Sequence, residues 1–387
     1  MLDSQPVTGP GAAAQPAAED RFALPETTLP EGGGAIRGLD ERFAVNGANG
    51  TASFTLPLPA SPARSGQPTL SLGYTSGGGN GAFGLGWAVD FPSISRRTDR
   101  GLPRYRDAED SDVYVMSGVE DLVPARDAAG TLNEGTRNDE SGTPHRVRRY
   151  RPRIEGAFSR IERWENLANG SAHWRVTTGG NVTSIFGQDE NARIADPEDE
   201  SRIFRWMCER RYDDRGNLTL YEYKPEDRAG IPNTPADGPR LSGIAPVTAL
   251  YPKRVLYGNR VPFAAGDPIP ADEGFRFQTV LDYGEHADAP LTDLGGGQLD
   301  FAADPQPLDS GTWQVRPDAF SSFRSGFEIR TWRRCRRVML FHAFDEPELV
   351  RSLDLSYDDA SGISHLVSAT ARGYIRNGAG YTCLLYT

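Results

Sequence analysis

The chain has 387 residues, of which 37% are hydrophobic, and its formal net charge is -11. Its 43 Gly and 29 Pro exceed average usage, which is typical of a turn-rich β protein. No apolar run approaches the roughly 18 residues of a membrane-spanning helix, and no Sec signal peptide is recognisable. Residues 1–30 are rich in Ala, Pro, Gly and Glu without periodicity, so we predict a flexible leader there.

After the leader, apolar and polar side chains alternate, which is typical of half-buried β-strands. The alternation occurs at Phe54–Leu58, at Leu70–Tyr74, at Trp87–Phe91 and in the stretches DVYVMSG, HWRVTTGGNVTSIFG, NLTLYEY, FRFQTVLDYG and LDLSYDD. We therefore predict an all-β fold of antiparallel strands and hairpins with very little helix. At Pro197 a short helix through EDESRIFRW and a strand containing Phe204, Trp206 and Cys208 are both compatible with the pattern.

Two stretches have the pattern of hairpins. In RWMCERRYDDRGNLTLYEYK the turn contains Gly216 and Asn217, and in HWRVTTGGNVTSIFG it contains two glycines and Asn181. Long Pro/Gly-rich loops are predicted at 225–250 and 284–312, and both are candidate docking loops. The first loop leaves open a division of residues 31–387 into two β subdomains near 225–250.

Gly79, Gly81 and Gly84 have the G-x-G-x-x-G spacing of a dinucleotide-binding loop. Such a loop requires a helix after its third glycine, so that the helix N-terminus faces the pyrophosphate. Here Gly86, the alternation from Trp87 onward and Pro92 all oppose a helix. We predict instead that the glycines permit a sharp turn between two strands.

No other catalytic or ligand-binding motif is recognisable. Neither lysine follows a glycine as in a P-loop, no G-x-S-x-G elbow occurs, and the acidic stretches 106–112 and 195–200 lack the calcium-loop spacing. The histidines are scattered singly: His145, His173, His286, His342 and His365. Three widely spaced cysteines, Cys208, Cys335 and Cys383, argue against a disulfide framework and a cysteine-ligated zinc site. We predict no catalytic, cofactor-binding or metal-binding residues.

The segments 145–153 and 330–340 are rich in arginine, and with Tyr150 and Trp332 they could hold a nucleic-acid strand. The acidic balance of the chain opposes this, because phosphate binding depends on basic surface. Cross-strand ion pairs explain the first segment better, since Glu155, Glu162 and Glu165 lie nearby in sequence. We therefore predict no nucleic-acid partner.

Several long motifs occur in a fixed order along the chain: GGGAIRG, GNGAFGLGW, PSISRRTDRGLPRY, DSDVYVMSG, EDLVP and, further along, VTSIFGQDENARIADPEDESRIFRWMCERRYDDRGNLTLYEYK. Together they resemble the SpvB/TcaC-type N-terminal domain of bacterial toxins. The stretch YDDRGNLTLYEY also resembles a YD repeat of the RHS type. The resemblance covers residues from about 30 to about 382. It implies that the strands form part of a curved RHS/YD-like shell or a sandwich.

The resemblance also implies a function. In insecticidal toxin complexes, this domain begins the B component, which builds with the C component a hollow shell around a toxic cargo and docks on a pore-forming A component. A related Salmonella virulence protein joins the domain to an actin-modifying ADP-ribosyltransferase. Relatives continue past GYIRNGAGYTC, whereas this sequence ends at LLYT, so we expect a domain truncated before the propeller and remaining shell.

We therefore predict a non-catalytic structural and delivery module, secreted or extracellular after release from the bacterium, without direct insertion into a membrane. Its partners would be the remaining B-component shell, the C component and the A component. Unpaired strand edges or an apolar face are expected near HLVSATARGYI.

Two alternatives stay open. An accessory domain of an ADP-ribosylating toxin is the first, although Glu346 and Glu348 alone match its Glu-x-Glu pair and no Ser-Thr-Ser occurs. A carbohydrate-binding module with exposed aromatic residues is the second, and its candidates are Trp164, Trp174, Trp313 and Trp332.

Overall fold

The computed structural model describes residues 42–45, 50–117, 121–154, 156, 158–286, 291–295, 298–308, 311–378 and 380–386. These residues form a mostly antiparallel β structure. The predicted leader, 1–30, lies outside them. Within the described residues, helix is confined to α1 (Gly238–Leu241) and to short 3-10 turns at Asp107–Glu109, Glu190–Ala192 and Asp272–Gly274. In this part of the chain no helix is long and apolar enough to cross a membrane.

The strands of the first half are β1 (Arg42–Val45), β2 (Ala52–Pro57), β3 (Ser71–Thr75), β4 (Asn80–Gly81), β5 (Gly84–Leu85), β6 (Trp87–Val89), β7 (Ser93–Arg96), β8 (Tyr114–Met116), β9 (Asp121–Pro124), β10 (Glu134–Asn138), β11 (Pro144–Pro152), β12 (Arg160–Asn166), β13 (Ala172–Thr177), β14 (Thr183–Phe186), β15 (Arg193–Asp196) and β16 (Asp199–Tyr212). The second half contains β17 (Leu218–Pro225), β18 (Leu250–Asn259), β19 (Phe275–Asp282), β20 (Leu291–Gly295), β21 (Gln298–Phe301), β22 (Phe320–Ser322), β23 (Ile329–Thr331), β24 (Arg337–Ala343), β25 (Pro347–Asp358), β26 (His365–Asn377) and β27 (Gly380–Tyr386).

Eight strands close into a barrel. The antiparallel pairings run from β7 to β8, β9, β11, β12, β13, β14 and β16, and β16 pairs with β7 again. Closure removes free edges from these strands. It is possible because β11 and β16 are long: β11 pairs with β10 along its first half and with β9 along its second.

Large aromatic side chains fill the barrel. Trp174 is fully buried, and its ring centroid lies 4.9 Å from those of both Tyr114 and Tyr150 and 6.1 Å from that of Trp206. These rings meet nearly edge to face, which is the arrangement that aromatic quadrupoles favour. The Trp206 indole N–H donates to the carbonyl of Ala172 over 2.8 Å, so its polar atom is paired inside the core.

Beyond the barrel, the same sheet continues as an open antiparallel run from β16 through β17, β18, β19, β24, β25, β26, β27 and β21 to β20. One large core joins the two parts, since Trp174 and Leu353 belong to the same cluster of buried side chains. A second core, with Phe301, Tyr374 and Tyr381, lies around the last strands. The all-β prediction is confirmed.

Most local predictions are also confirmed. Both hairpins form, between β13 and β14 and, across the turn at 213–217, between β16 and β17. Left-handed backbone occurs at Gly216 and Asn181. At Pro197 the strand alternative is correct, because β16 begins at Asp199. A division into two subdomains near 225–250 stays a prediction.

The prediction of a long loop at 284–312 is wrong in one respect. Within that segment β20 and β21 form a hairpin, and β21 also pairs with β27. Leu299 and Phe301 pack on the second core, but Gly and Asp residues around them hide the alternation in the sequence. The first loop, 225–250, contains α1.

Candidate functional site

The glycine-rich loop forms a tight turn between short strands. After Gly84 the chain continues as β5 and β6, and no helix follows. Gly84 and Gly86 have φ angles of 85° and 79°, and a Cβ at Gly84 would lie 2.8 Å from the Ser364 carbonyl oxygen. Gly79 has no atom within 4 Å of such a Cβ. The dinucleotide-loop alternative therefore lacks its required helix, and the predicted sharp turn is confirmed.

A buried polar cluster fastens this loop to the sheet. The Arg316 guanidinium donates to the Gly81 carbonyl over 2.7 Å and to Asn80 Oδ1 over 2.9 Å. It also binds Asp318, which accepts from the Ser364 amide over 2.7 Å. Burial would raise the pKa of Asp318, but hydrogen bonds from Arg316 and Ser364 hold it well below its usual range. This cluster therefore gives the glycine-rich loop a structural role, since it holds the loop against the sheet.

We expect Gly84→Val to destabilise the protein. The left-handed backbone costs a non-glycine residue about 1–2 kcal/mol, and the side chain would press against the main chain of Ser364. Thermal unfolding measures the loss. The matched control is Gly79→Val, where space is free and φ is ordinary. Equal stability of the two variants, or NAD binding by the wild type that only Gly84→Val loses, would contradict this structural role.

The tryptophans proposed as exposed sugar-binding residues are buried. Trp164, Trp174, Trp313 and Trp332 have relative exposures of 5%, 0%, 5% and 0%. Trp164 and Trp174 are buried residues of β12 and β13, whereas Trp313 and Trp332 are buried outside the strands. The basis of the carbohydrate-binding alternative is therefore removed.

The arginine-rich segments make ion pairs with acidic side chains. Arg146 contacts Glu165 at 2.5 Å across β11 and β12, and Arg148 contacts Glu134 at 2.7 Å across β11 and β10. In the second segment Arg333, fully buried, binds Glu226. The predicted ion pairing is confirmed for the first segment, although Glu134 was not among the expected partners, and the buried pair of Arg333 with Glu226 was not predicted.

Apart from His145 and His173, whose rings contact each other, the histidines and cysteines of the described residues lie in different parts of the fold. His145 and His173 pack on Trp164, and His342 Nε2 lies 2.7 Å from Ser61 Oγ. All three cysteine residues are buried, and burial raises the pKa of each thiol, which suppresses nucleophilic thiolate. His286 differs from the other histidines because it lies beside two buried carboxylates, Asp282 and Glu285. The sequence search missed this group because it looked for paired histidines.

Part of β26 has a strand partner on one side only among the described residues. From Ala371 to Asn377, β26 pairs with β27, and it pairs with β25 from His365 to Gly373. Among the described residues, positions 366–370 therefore have a strand partner on one side only. The Val367 side chain is 63% exposed at a β-bulge there. A free strand edge of this kind can accept a further strand through main-chain hydrogen bonds.

Comparison with known proteins shows which family the chain resembles. Residues 46–344 match the family described as Salmonella virulence plasmid 65kDa B protein. The chain is 33% identical over 368 residues to mono(ADP-ribosyl)transferase SpvB of Salmonella typhimurium. That alignment covers 91% of this chain but only 57% of the relative, and Salmonella dublin SpvB gives the same values.

Solved structures agree. The N-terminal domain of effector protein SpvB from Salmonella typhimurium is 32% identical, with a TM-score of 0.73, and the match covers 83% of this chain and 98% of that domain. TcdB2-TccC3 is 31% identical, with a TM-score of 0.78 over 93% of this chain and 17% of that chain. The Photorhabdus luminescens Tc holotoxin pore is 31% identical in sequence, with a TM-score of 0.77, and the match covers 94% of this chain and 16% of that chain. The chain thus belongs to the SpvB family of virulence and toxin proteins and has the fold that begins SpvB.

Proposed function

We propose that this chain is a non-catalytic structural and delivery module, the N-terminal part of a toxin-complex B component. The observation that carries the proposal is the superposition of 93% of the chain on TcdB2-TccC3 with a TM-score of 0.78. A closed barrel that continues as an open antiparallel sheet is suited to form part of the wall of a protein shell, because each additional strand extends the sheet. The proposal includes export from the bacterium, as expected for a toxin component.

The proposed partners are the rest of a B-component shell, its C component and an A component. The single-sided stretch of β26 supplies the contact, since a strand added at 366–370 gains main-chain hydrogen bonds and a fixed register. The exposed Val367 offers apolar area at the same place.

We expect the tagged chain to co-purify with a co-expressed B-component fragment that begins after the region matched in TcdB2. Val367→Lys should abolish co-purification, because a charge on a strand edge opposes further pairing. Val261→Lys is the matched control, since Val261 is 71% exposed and lies after β18. A strictly monomeric chain that ignores the fragment would defeat the proposal.

A second candidate is an accessory domain of an ADP-ribosylating toxin, favoured by the 33% identity to mono(ADP-ribosyl)transferase SpvB. The same co-purification distinguishes the two candidates when the C-terminal part of that relative replaces the B-component fragment. Selective retention of the transferase part would favour the second candidate. Retention of the shell fragment alone would favour the first.

A further inference from the structure

The turn that follows β19, with the sequence DYGEH, gathers three side chains able to bind a metal. Asp282, Glu285 and His286 offer ligand atoms that all lie within 4.8 Å of one another, and all three residues are buried. Gly284 makes the turn possible, because its φ is 101° and a Cβ there would lie 2.5 Å from the Gln314 side chain. The backbone thus folds so tightly that positions 282 and 286 face the same point.

The His286 ring is oriented like a metal ligand. Its Nε2 lies 2.9 Å from the Gln306 carbonyl oxygen, so this nitrogen carries the proton and donates. Histidines that bind metals usually donate their other N–H to such a carbonyl or to a carboxylate. The remaining nitrogen, Nδ1, is buried and has no hydrogen-bond partner within 3.5 Å of good geometry among the described residues. This nitrogen faces the two carboxylates.

The spacings from His286 to the two carboxylates are close to those around a tetrahedral ion. His286 Nδ1 lies 3.4 Å from Asp282 Oδ1 and 3.8 Å from Glu285 Oε1. Zinc binds nitrogen and carboxylate oxygen at about 2.0–2.2 Å, and a tetrahedral angle then places neighbouring ligand atoms about 3.3–3.6 Å apart. Ordinary N–H···O bonds are shorter, at about 2.7–3.2 Å. Both observed distances are longer than an ordinary hydrogen bond; the 3.4 Å spacing matches a tetrahedral ion, and the 3.8 Å spacing is slightly longer than that range.

Two basic side chains border the group. Arg337 holds the other Asp282 oxygen, Oδ2, at 2.8 Å. Lys253 Nζ contacts Glu285 Oε1 and donates to the Leu281 carbonyl over 2.9 Å. Lys253 therefore competes with a metal ion for the Glu285 carboxylate. If the ion displaces Lys253 from Oε1, the ammonium group keeps its hydrogen bond to the Leu281 carbonyl.

We propose that Asp282, Glu285 and His286 bind a divalent metal ion of the zinc type. With three protein ligands, an ion of this type would keep its fourth coordination position for a water molecule. Through the bond from His286 to Gln306, the ion would fasten the segment after β21 to the end of β19. This inference does not rest on the proposed function, and either can fail without the other.

The test uses the full chain, treated with EDTA and then titrated with Zn²⁺ or Co²⁺. We expect one ion per chain by mass spectrometry, a visible Co²⁺ spectrum of the tetrahedral type and a higher unfolding temperature. His286→Gln and Glu285→Gln should weaken binding by at least about 100-fold, since even outer-shell partners are worth about 10–100-fold. Lys253→Met should strengthen it by removing the competing cation.

His365→Gln is the matched control, because His365 lies at the start of β26, away from the group. It should bind metal like the wild type. Glu285→Gln keeps the size of its side chain, so the test survives if His286→Gln fails to fold. Absence of stoichiometric uptake by the wild type, or uptake that both variants retain unchanged, would overturn the proposal.

Discussion

Trp174→Ala is expected to lower the free energy of unfolding by about 3–5 kcal/mol, the usual cost of removing a large buried aromatic side chain. Trp174 is fully buried in the closed barrel, and the Tyr114, Tyr150 and Trp206 rings all contact it. Its removal leaves a cavity that a closed ring of strands cannot collapse to fill. Denaturant unfolding followed by circular dichroism measures the loss.

The control is Phe323→Ala, since the Phe323 side chain is 58% exposed. We expect a change within about 0.5 kcal/mol there, as for most surface substitutions. A Trp174→Ala protein that unfolds at the same denaturant concentration as the wild type would mean that these rings do not form the core of a cooperative barrel.

Arg333→Met is the second substitution with a large expected effect. The Arg333 side chain is fully buried, binds Glu226 through Nε at 2.9 Å and donates to the Trp313 carbonyl over 2.7 Å. Without Arg333, the Glu226 carboxylate is left buried and uncompensated, which costs about 3–5 kcal/mol. Urea unfolding of the single variant gives the size of this loss.

The double variant Arg333→Met, Glu226→Gln separates the two causes. It should regain part of the stability, because the unpaired buried charge is gone. Arg106→Met is the exposed control: its partner Glu109 is 3.5 Å away and both side chains are more than half exposed, so we expect about 0–1 kcal/mol. A double variant less stable than Arg333→Met would contradict the charge argument.

The sequence was sufficient for much of the secondary structure because alternation is a local property. The alternation correctly predicted the strands Leu218–Pro225 and Phe275–Asp282, because in each strand one face is apolar and the other is polar or paired. Barrel closure was not predictable, because it depends on which distant strands pair. Nothing near Ser93–Arg96 indicates that Arg205–Met207 is its partner.

Sites were harder to predict for the same reason. The group at Asp282 became visible only when the turn, the carbonyl of Gln306 and the side chain of Lys253 were in place. Its one local signal was the stretch DYGEH, in which a glycine separates potential ligands. The four tryptophans left two interpretations open, core residues or an exposed aromatic row, and their burial decides for the core.

Barrel closure also sets an order for events during synthesis. Ser95 pairs with Arg205, so β7 leaves the ribosome roughly 110 residues before the strand that completes its ring. Because the ribosome adds about 5–20 residues per second, the aromatic residues near β7 stay without a complete core for on the order of ten seconds. Pairing between such distant segments is also slow in itself. A cell that makes this protein must therefore keep the nascent half-barrel from aggregating, so its yield should depend strongly on chaperone capacity and on growth temperature.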